Sequence, residues 1–312
     1  MKKVILKLTK FSLLFLVLLG STILLTTNYI FNKSNFKIPN HTDKIIIGHS
    51  HAECAYNDSL IVNTINIAQS GESYFYSYYK INQLLQQNEK IKYVFLEFTN
   101  NEIGKKMDDW IWSGLFLSHR YHLYAPFIDY QGHNLLIKKN AKNLLKLQVK
   151  TLLNNVKTIV LSEYNYVRKT GGYLYLVRNK TDSLVKLKDT ATISNKIPEL
   201  PIENLAYLDR IVLLCKIKKV KLVLLRSPLH KKYKGIHNEK EFQNLLATKY
   251  QNTHFLDFKN FPLTDDEFGD LEHLNFKGAK KFSVFFNDLL AQNLLSAPDQ
   301  QKIIDTKISL LN

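Results

Sequence analysis

Short apolar runs alternate with longer stretches of helical periodicity over much of this sequence, and this alternation constrains the fold more than any other feature. Strands separated by helices typically form a parallel sheet that carries helices on its faces. We therefore predict an α/β fold built on a parallel sheet of five strands. The runs that predict the strands are KIIIG from Lys44, TINIA from Thr64, KYVFLEF from Lys92, VKLVLLRSP from Val220 and THFLDF from Thr253.

Helical periodicity fills most of the sequence between these runs. It predicts helices over residues 73–89, 202–219, 238–250 and 275–295. From residue 104 to residue 200 the rhythm is lost, and the pattern favours one or two amphipathic helices. We interpret 104–200 as an insertion in a domain that spans 44–292, and 293–312 as a C-terminal tail.

The amino terminus has the composition of a membrane-spanning helix. Residues 11–31 carry no charge and are about long enough to cross the hydrocarbon core of a bilayer. Four lysines lie within the basic flank at 1–10, and such a flank favours the cytoplasmic side of the membrane. Because no A-x-A-like cleavage site follows, we predict an uncleaved signal anchor, a linker at 32–43 and a body outside the cytoplasm.

Charge and cysteine content narrow the classes of function. Lys and Arg outnumber Asp and Glu by 43 to 27, which gives a formal net charge of +16. The cations are spread along the chain without a basic stripe interleaved with aromatic residues, so we predict no nucleic-acid partner. Short basic runs such as HKKYK, from His230, are interpreted as solvated faces. Cys54 and Cys215 are too few for a disulfide framework and are predicted to be free or buried thiols.

Polar residues follow four of the predicted strands, which is where ligands bind in an open α/β sheet. A serine becomes an effective nucleophile only with a base in hydrogen-bond reach and a third group that orients the base. For Ser50, after the first strand, His273 and Asp270 after the fifth are suited to these roles. Gly71 and Asn101, after the second and third strands, could donate a backbone N–H and an amide to a developing oxyanion.

These blocks resemble, in chain order, the blocks of the SGNH branch of the GDSL hydrolases. The resemblance covers residues 44–103 and 203–292 and implies a three-layer, flavodoxin-like sandwich. It also implies a serine hydrolase mechanism that uses neither cofactor nor metal. The matching blocks are GHSHAECAY with nucleophile Ser50, NIAQSGES with oxyanion donor Gly71, VFLEFTNNE with oxyanion donor Asn101, and DLEHLNFKGA with Asp270 and His273.

The sequence departs from the family pattern in three places. His49 stands where the family has Asp before the nucleophile, and Ala68 replaces the first glycine of the second block. Thr99 and Asn100 replace the glycine-containing turn of the third block. A neutral imidazole at His49 can donate or accept a hydrogen bond but brings no negative charge. We expect His49 and Asn66 to support the site rather than to react.

Membrane-anchored relatives with such a domain outside the cytoplasm resemble the O-acyl transfer proteins of bacterial envelope polysaccharides and teichoic acids. The resemblance implies a single-pass protein of the bacterial membrane that acts on acylated carbohydrate or small acyl esters, with acetyl as the expected group. A membrane acyltransferase is the expected protein partner. Water as acceptor gives an esterase and a sugar hydroxyl gives an O-acyltransferase, and the sequence leaves both open.

Two other interpretations of the same residues stay open at this point. The three departures favour a catalytically silent SGNH-like domain that serves as a binding or scaffold part of an envelope assembly. His49 and His51, two residues apart, could instead hold a transition metal if Asp270, His273 or Glu53 supplied a third ligand. No firm ligand spacing supports the metal site, so we predict none.

Overall fold

The computed structural model describes residues 1–181, 183 and 199–311, and the part of the predicted insertion at 184–198 lies outside them. The described chain alternates strands and helices from residue 44 onward, apart from a helical segment in its middle. The strands are β1 (Lys44–Ile47), β2 (Thr64–Asn66), β3 (Tyr93–Glu97), β4 (Lys221–Arg226) and β5 (His254–Asp257). The helices are α1 (Lys2–Lys33), α2 (Ser50–Ala55), α3 (Tyr74–Gln87), α4 (Asp109–Trp112), α5 (Gly114–Tyr124), α6 (Tyr130–Val160), α7 (Tyr166–Lys169), α8 (Ile202–Ile217), α9 (Glu239–Thr248), α10 (Phe276–Ala291) and α11 (Gln300–Ser309).

The five strands form one sheet in the order β2-β1-β3-β4-β5, with every neighbouring pair parallel. This confirms the predicted α/β fold and its parallel five-stranded sheet. Ile45 pairs with Ile65 on one side and Val94 on the other, which sets the register at the centre. Since all strands run the same way, the polar residues that follow them meet at one edge of the sheet.

The residues divide into two compact units, and each unit has its own buried interior. One unit comprises residues 37–111 and 170–312 and contains the sheet. Its core joins strand side chains to α10, where Phe286 packs 5.5 Å from Phe95 between ring centres. α10 forms because Asn275 caps its first turn, accepting hydrogen bonds from the N–H groups of Lys277 and Gly278. In the same unit α3 packs against α8.

The end of the chain, expected to be a tail, contains α11. Asp299 caps this helix by accepting a hydrogen bond from the Lys302 N–H at 3.2 Å. Ile304 and Ile308, one helical turn apart, are buried in the same core cluster as Leu256 of β5. The apolar spacing of four residues therefore gives residues 300–309 a packed helical face.

The other unit comprises residues 1–36 and 112–169 and is helical. α1 is a single helix, longer than the predicted 11–31, and has a mean hydropathy of 2.1 over its most apolar window. That makes it long and apolar enough for a membrane anchor or a signal sequence. α6 is kinked at Asn140, whose backbone is not helical, so the predicted one or two amphipathic helices are one kinked helix. From the middle of the chain this unit contains residues 112–169, a shorter segment than the predicted insertion at 104–200.

Candidate active site

Ser50, His273 and Asp270 form one hydrogen-bonded line at the carboxyl edge of the sheet. The Ser50 Oγ lies 2.7 Å from Nε2 of His273. The opposite ring nitrogen, Nδ1, lies 2.9 and 3.0 Å from the two carboxylate oxygens of Asp270. A base in reach of a hydroxyl, with a carboxylate behind the base, is the arrangement that activates a serine.

Local structure explains how these three side chains are held. Ser50 is the first residue of α2, directly after the β1 edge, and Gly48 permits the approach because a Cβ there would collide with the Glu97 side chain. Asp270 Oδ1 accepts the N–H groups of Glu272 at 2.8 Å and His273 at 2.9 Å. The D-x-x-H spacing therefore fixes the carboxylate against the ring through the backbone that joins them.

The charge on Asp270 is stabilised in the folded chain. Burial alone would raise the pKa of this carboxyl. The hydrogen bond and charge of His273, the Glu272 N–H and the Arg178 guanidinium together hold the pKa of Asp270 well below its usual range. Arg178 forms an ion pair with Oδ2 of this carboxylate. Asp270 is thus an anion at neutral pH and can stabilise a positive charge on the imidazole.

The two predicted oxyanion donors follow β2 and β3 at the same edge of the sheet. Gly71 has a φ of 73°, the left-handed conformation that favours glycine, and no hydrogen bond within the described part of the chain uses its N–H. The Asn101 Oδ1 accepts a hydrogen bond from the Tyr233 hydroxyl at 2.7 Å. This bond orients the amide so that its NH₂ end is left to donate elsewhere.

A buried ion pair braces the segment that carries Gly71. Lys80 Nζ lies 2.8 Å from a carboxylate oxygen of Glu72, and both side chains are fully buried. The same ammonium donates to the carbonyl oxygens of Ile67 at 2.7 Å and Thr170 at 2.6 Å. The charge is paired and its three donors are used, which is the condition under which a lysine is tolerated in a core.

Arg226, at the end of β4, braces the loop before Asn101 in a similar way. Its guanidinium, fully buried, contacts the carboxylates of Glu239 and Asp257. It also donates to the Asn100 Oδ1 at 3.0 Å. Although burial opposes ionisation, hydrogen bonds from Arg226, Gln243 and Asn100 lower the pKa of Glu239 to about 2.

A carboxylate from β3 lies beside the backbone of His49, the residue before Ser50. The Glu97 Oε2 accepts the N–H groups of His49 at 2.9 Å and Ala52 at 3.1 Å. Burial raises the pKa of Glu97, while His51 and these N–H groups oppose the rise. Burial, with the charges of His51 and His273, lowers the pKa of His49 well below its ordinary value, so its ring is neutral.

Asn66 forms buried hydrogen bonds to the same turn. Its side-chain NH₂ donates to the carbonyl oxygens of Ala52 at 3.0 Å and Tyr56 at 2.8 Å, at the end of α2. Its Oδ1 accepts the Ala68 N–H at 2.9 Å. One buried amide thus ties the end of β2 to the short helix that begins with Ser50.

His51 lies beside the Ser50 line, with two carboxylates around it. Its ring centre is 5.3 Å from that of His273, and its Nε2 lies 3.5 Å from a Glu272 oxygen. Burial alone would lower the pKa of His51. Glu272 and Glu97 raise this pKa by more than burial lowers it, so the net result is a raised pKa. Among the described residues, His51, Glu272 and His273 lie close enough together to offer ligand atoms to a metal, and His49, considered above as a possible ligand beside His51, is not in that group. Both ring nitrogens of His273 already have partners, so a cation there would compete with Ser50.

Several residues of this site were absent from the sequence prediction. Glu97 could have been noticed as a carboxylate inside an otherwise apolar strand. The interpretation of HKKYK as a solvated face is wrong for two of its residues, because His230 is buried against Asp265 and Tyr233 donates to Asn101. Arg178 lies in the segment 104–200, where the alternation of strands and helices is lost, and no local pattern points to its partner.

A cavity of about 540 Å³ adjoins Asn101. Trp110 is part of its wall and packs its ring edge against His49, with ring centres 5.7 Å apart. The cavity therefore lies beside the loop after β3, and Trp110 in its wall contacts the residue before Ser50. Its other lining residues are Asn100, Gly104, Lys105, Lys106, Met107, Glu199, His237 and Asn238.

Comparisons with known proteins add a family but little chemistry. A family model matches residues 133–295, just over half of the chain, and its family carries no functional description. No curated protein matches the chain. A solved structure of a Streptococcus pneumonia protein, described provisionally as a platelet activating factor, is 14% identical. That match covers 89% of this chain and 98% of the other at a TM-score of 0.36, which carries no argument about fold or function.

Proposed function

We propose that this chain, which belongs to a family without a functional description, is an SGNH-like serine esterase or O-acyltransferase. The observation that carries the proposal is the line from Ser50 Oγ through His273 to the Asp270 carboxylate, with hydrogen bonds of 2.7 and 2.9 Å. The residues reach this line from the ends of the chain's first and last strands. A serine that only closed a turn would need neither the ring of His273 nor the carboxylate behind it.

The reaction proceeds in two steps, acylation of Ser50 and deacylation. Ser50 Oγ attacks the acyl carbonyl carbon while its proton passes to His273 Nε2, and Asp270 stabilises the resulting imidazolium. The Gly71 N–H and the Asn101 amide donate to the oxyanion of the tetrahedral intermediate. The intermediate expels the alcohol, which takes the proton from His273. Water or a sugar hydroxyl then attacks the acyl-serine, and its proton passes through His273 in the same way.

The order of the sheet supports the finer description of the fold. The order β2-β1-β3-β4-β5 is the one found in flavodoxin-like sheets, where ligands bind at the carboxyl edge. We propose a three-layer sandwich of this kind, in which α3 and α8 cover one face and α2 and α10 cover the other. Ser50, Gly71, Asn101 and His273 then follow four strands of one edge.

The substrate we propose is an acyl ester of envelope carbohydrate, with acetyl as the acyl group. The cavity beside Asn101 has room for more than an acetyl group, and the Trp110 ring and the lysines at its rim suit a sugar with anionic substituents. α1 would anchor the chain in a bacterial membrane with the site outside the cytoplasm, and a membrane acyltransferase would donate the acyl group.

The test compares Ser50→Ala with the wild-type chain on an activated acetyl ester such as 4-nitrophenyl acetate. We expect turnover to fall to the background of the uncatalysed reaction, with an unchanged circular dichroism spectrum. Ser59→Ala is the matched control, because Ser59 is an exposed serine of the same region whose hydroxyl bonds only its neighbour Asn57. Equal turnover in wild type and Ser50→Ala would reject the assignment.

A fluorophosphonate probe separates an enzyme from the silent scaffold that the three departures favoured. We expect covalent labelling of the Ser50 peptide by mass spectrometry, since labelling requires a nucleophilic serine and an oxyanion site together. An unlabelled, correctly folded chain would favour the scaffold. The Glu97 carboxylate weakens that alternative, because it fills the position where the loss of Asp was the main departure.

A further inference from the structure

α6 carries a stripe of large apolar side chains that nothing in the described chain covers. The stripe consists of Leu145, Val149, Leu153, Val156 and Val160, which are between 45 and 73% exposed. Their spacing of four, four, three and four residues puts them on one face of the helix. Contiguous apolar patches of this kind on a protein surface mark contacts with other proteins or with a membrane.

The opposite face of α6 is already used within its own unit. Leu144, Thr151 and Asn155 are buried there. The Asn155 NH₂ donates to the hydroxyls of Thr26 at 3.1 Å and Thr27 at 3.0 Å, both on α1. The stripe is therefore not the core-facing side of an ordinary amphipathic helix, because that side is the one packed against α1.

The contact with α1 places α6 at the depth of a membrane surface. Thr26 and Thr27 lie in the last two turns of α1, one turn before the aromatic pair Tyr29 and Phe31. Aromatic residues at the end of an apolar helix are typical of the boundary between hydrocarbon and headgroups. A helix that packs against α1 at this point lies beside that boundary whenever α1 spans the bilayer.

Lysines line one edge of the stripe. Lys142, Lys146 and Lys157 are exposed on the same helix, and Lys146 and Lys157 directly follow Leu145 and Val156 of the stripe. This combination, an apolar face bordered by long cationic side chains, is typical of helices that lie in the interface of a bilayer with anionic lipids. The apolar side chains enter the acyl boundary, and the ammonium groups reach the phosphates.

We propose that the α6 stripe lies in the surface of the same membrane that α1 crosses, on the side of the catalytic domain, with its lysines on anionic headgroups. This goes beyond an anchor at the amino terminus, since α6 is separated from α1 by nearly a hundred residues of sequence. It does not depend on the esterase activity. Two membrane contacts would hold this helical unit in a fixed orientation, where a single helix leaves it free to tilt and rotate.

The test uses the full chain, reconstituted in vesicles, with a nitrobenzoxadiazole fluorophore at Leu153→Cys. The two native cysteines are buried, so the unmutated chain serves as the labelling blank. Ala247→Cys, on an exposed position of α9, is the matched control. In phosphatidylcholine–phosphatidylglycerol vesicles we expect a blue-shifted emission at 153 and its loss when the acyl chains carry a nitroxide quencher. We expect no change at 247.

Two further arms make the outcome decisive. Replacing Lys142, Lys146 and Lys157 by Gln, or omitting phosphatidylglycerol, should reduce the quenching at 153 without detaching the chain from the vesicles. Quenching at 153 no stronger than at 247, in a chain that floats with the vesicles, would overturn the proposal and assign the stripe to a protein partner or a second copy. Quenching at 153 that is changed neither by the lysine replacements nor by omission of phosphatidylglycerol would overturn the proposed contact with headgroups.

Discussion

Asp270→Asn removes one negative charge and leaves the shape of the triad in place. In the structure Oδ1 of Asp270 is held by three donors, the N–H groups of Glu272 and His273 and the His273 ring. An asparagine can keep its oxygen at this position, because the two backbone donors select the acceptor end of the amide. The Nδ1–H of His273 can still donate to that oxygen, whereas the NH₂ that replaces Oδ2 faces both Nδ1 and Arg178, so the substitution removes the charge and one acceptor together.

The expected loss follows from the distance between the charges. Attack by Ser50 turns His273 into an imidazolium that lies against the Asp270 carboxylate, with nitrogen and oxygen 2.9 Å apart. Two unit charges whose centres are about 4 Å apart attract each other by about 4 kcal/mol at the dielectric response of a partly buried site. Loss of that attraction in the transition state corresponds to about a 10³-fold fall in turnover.

The assay is kcat on an activated acetyl ester at neutral pH, with Asp266→Asn as the matched control. Asp266 is an exposed aspartate four residues away that pairs with Lys277 and does not contact His273. We expect Asp266→Asn to stay within about twofold of wild type, as surface pairs of this kind contribute little. Arg178→Gln should lower turnover less than Asp270→Asn does, because it removes one of the groups that hold the pKa of Asp270 low and leaves the carboxylate in place.

Two results would refute this reasoning. A turnover of Asp270→Asn within tenfold of wild type would mean that no imidazolium forms beside this carboxylate. A loss that Asp266→Asn shares would mean that the region responds to any change of net charge. A loss in Arg178→Gln as large as that in Asp270→Asn would show separately that the arginine does more than stabilise this carboxylate.

Three further predictions concern the groups that brace the site. Glu97→Gln should lower turnover and stability, and adding His49→Asp to that variant should recover part of both; His49→Asp alone should destabilise the chain, since it puts two buried carboxylates together. Glu239→Gln should cost about 2 kcal/mol of unfolding free energy at pH 7, as the pKa of Glu239 is lowered to about 2 beside Arg226, with a discount for its partial exposure. A carboxyl whose pKa is lowered in the folded state stabilises the fold at pH values above its unfolded pKa. The difference in unfolding free energy between wild type and Glu239→Gln should therefore shrink as pH falls from about 4.5 to 2 in chemical denaturation. Lys80→Met should cost about 3 to 5 kcal/mol in the same assay, because it removes the cation that pairs with the buried Glu72 carboxylate, and an unchanged free energy of unfolding would show that the pair does not stabilise the fold.

The strands and most helices were predictable because their patterns are local. Each strand is a short apolar run. The start of α10 is marked by the capping residue Asn275, and Ala279, Phe282 and Phe286 follow on one face of the helix. The position of Ser50 and His273 at one sheet edge was also predictable, since parallel strands bring their carboxyl ends together. What made them candidates was chain order relative to strands rather than any single motif.

The unpredicted part of the site consists of contacts between distant segments. Arg178 reaches Asp270 from 92 residues away, and Tyr233 reaches Asn101 from 132 residues away. Neither pair has a spacing that could signal contact, and Tyr233 sits in a run of lysines that favours solvent exposure. The kink of α6 at Asn140 could not be predicted from the sequence either, because the apolar periodicity on both sides of it is helical.

The role of Glu97 changes the weight of the strongest argument against catalysis. An aspartate before the nucleophile can only support the turn through hydrogen bonds to nearby N–H groups, since it does not itself react. Glu97 makes two such bonds, to His49 and Ala52, from the neighbouring strand β3. The turn needs a buried acceptor at this point, and the sheet can present one from either of two adjacent strands. Gly48 leaves room for the Glu97 side chain, and the neutral ring of His49 adds no charge beside that carboxylate.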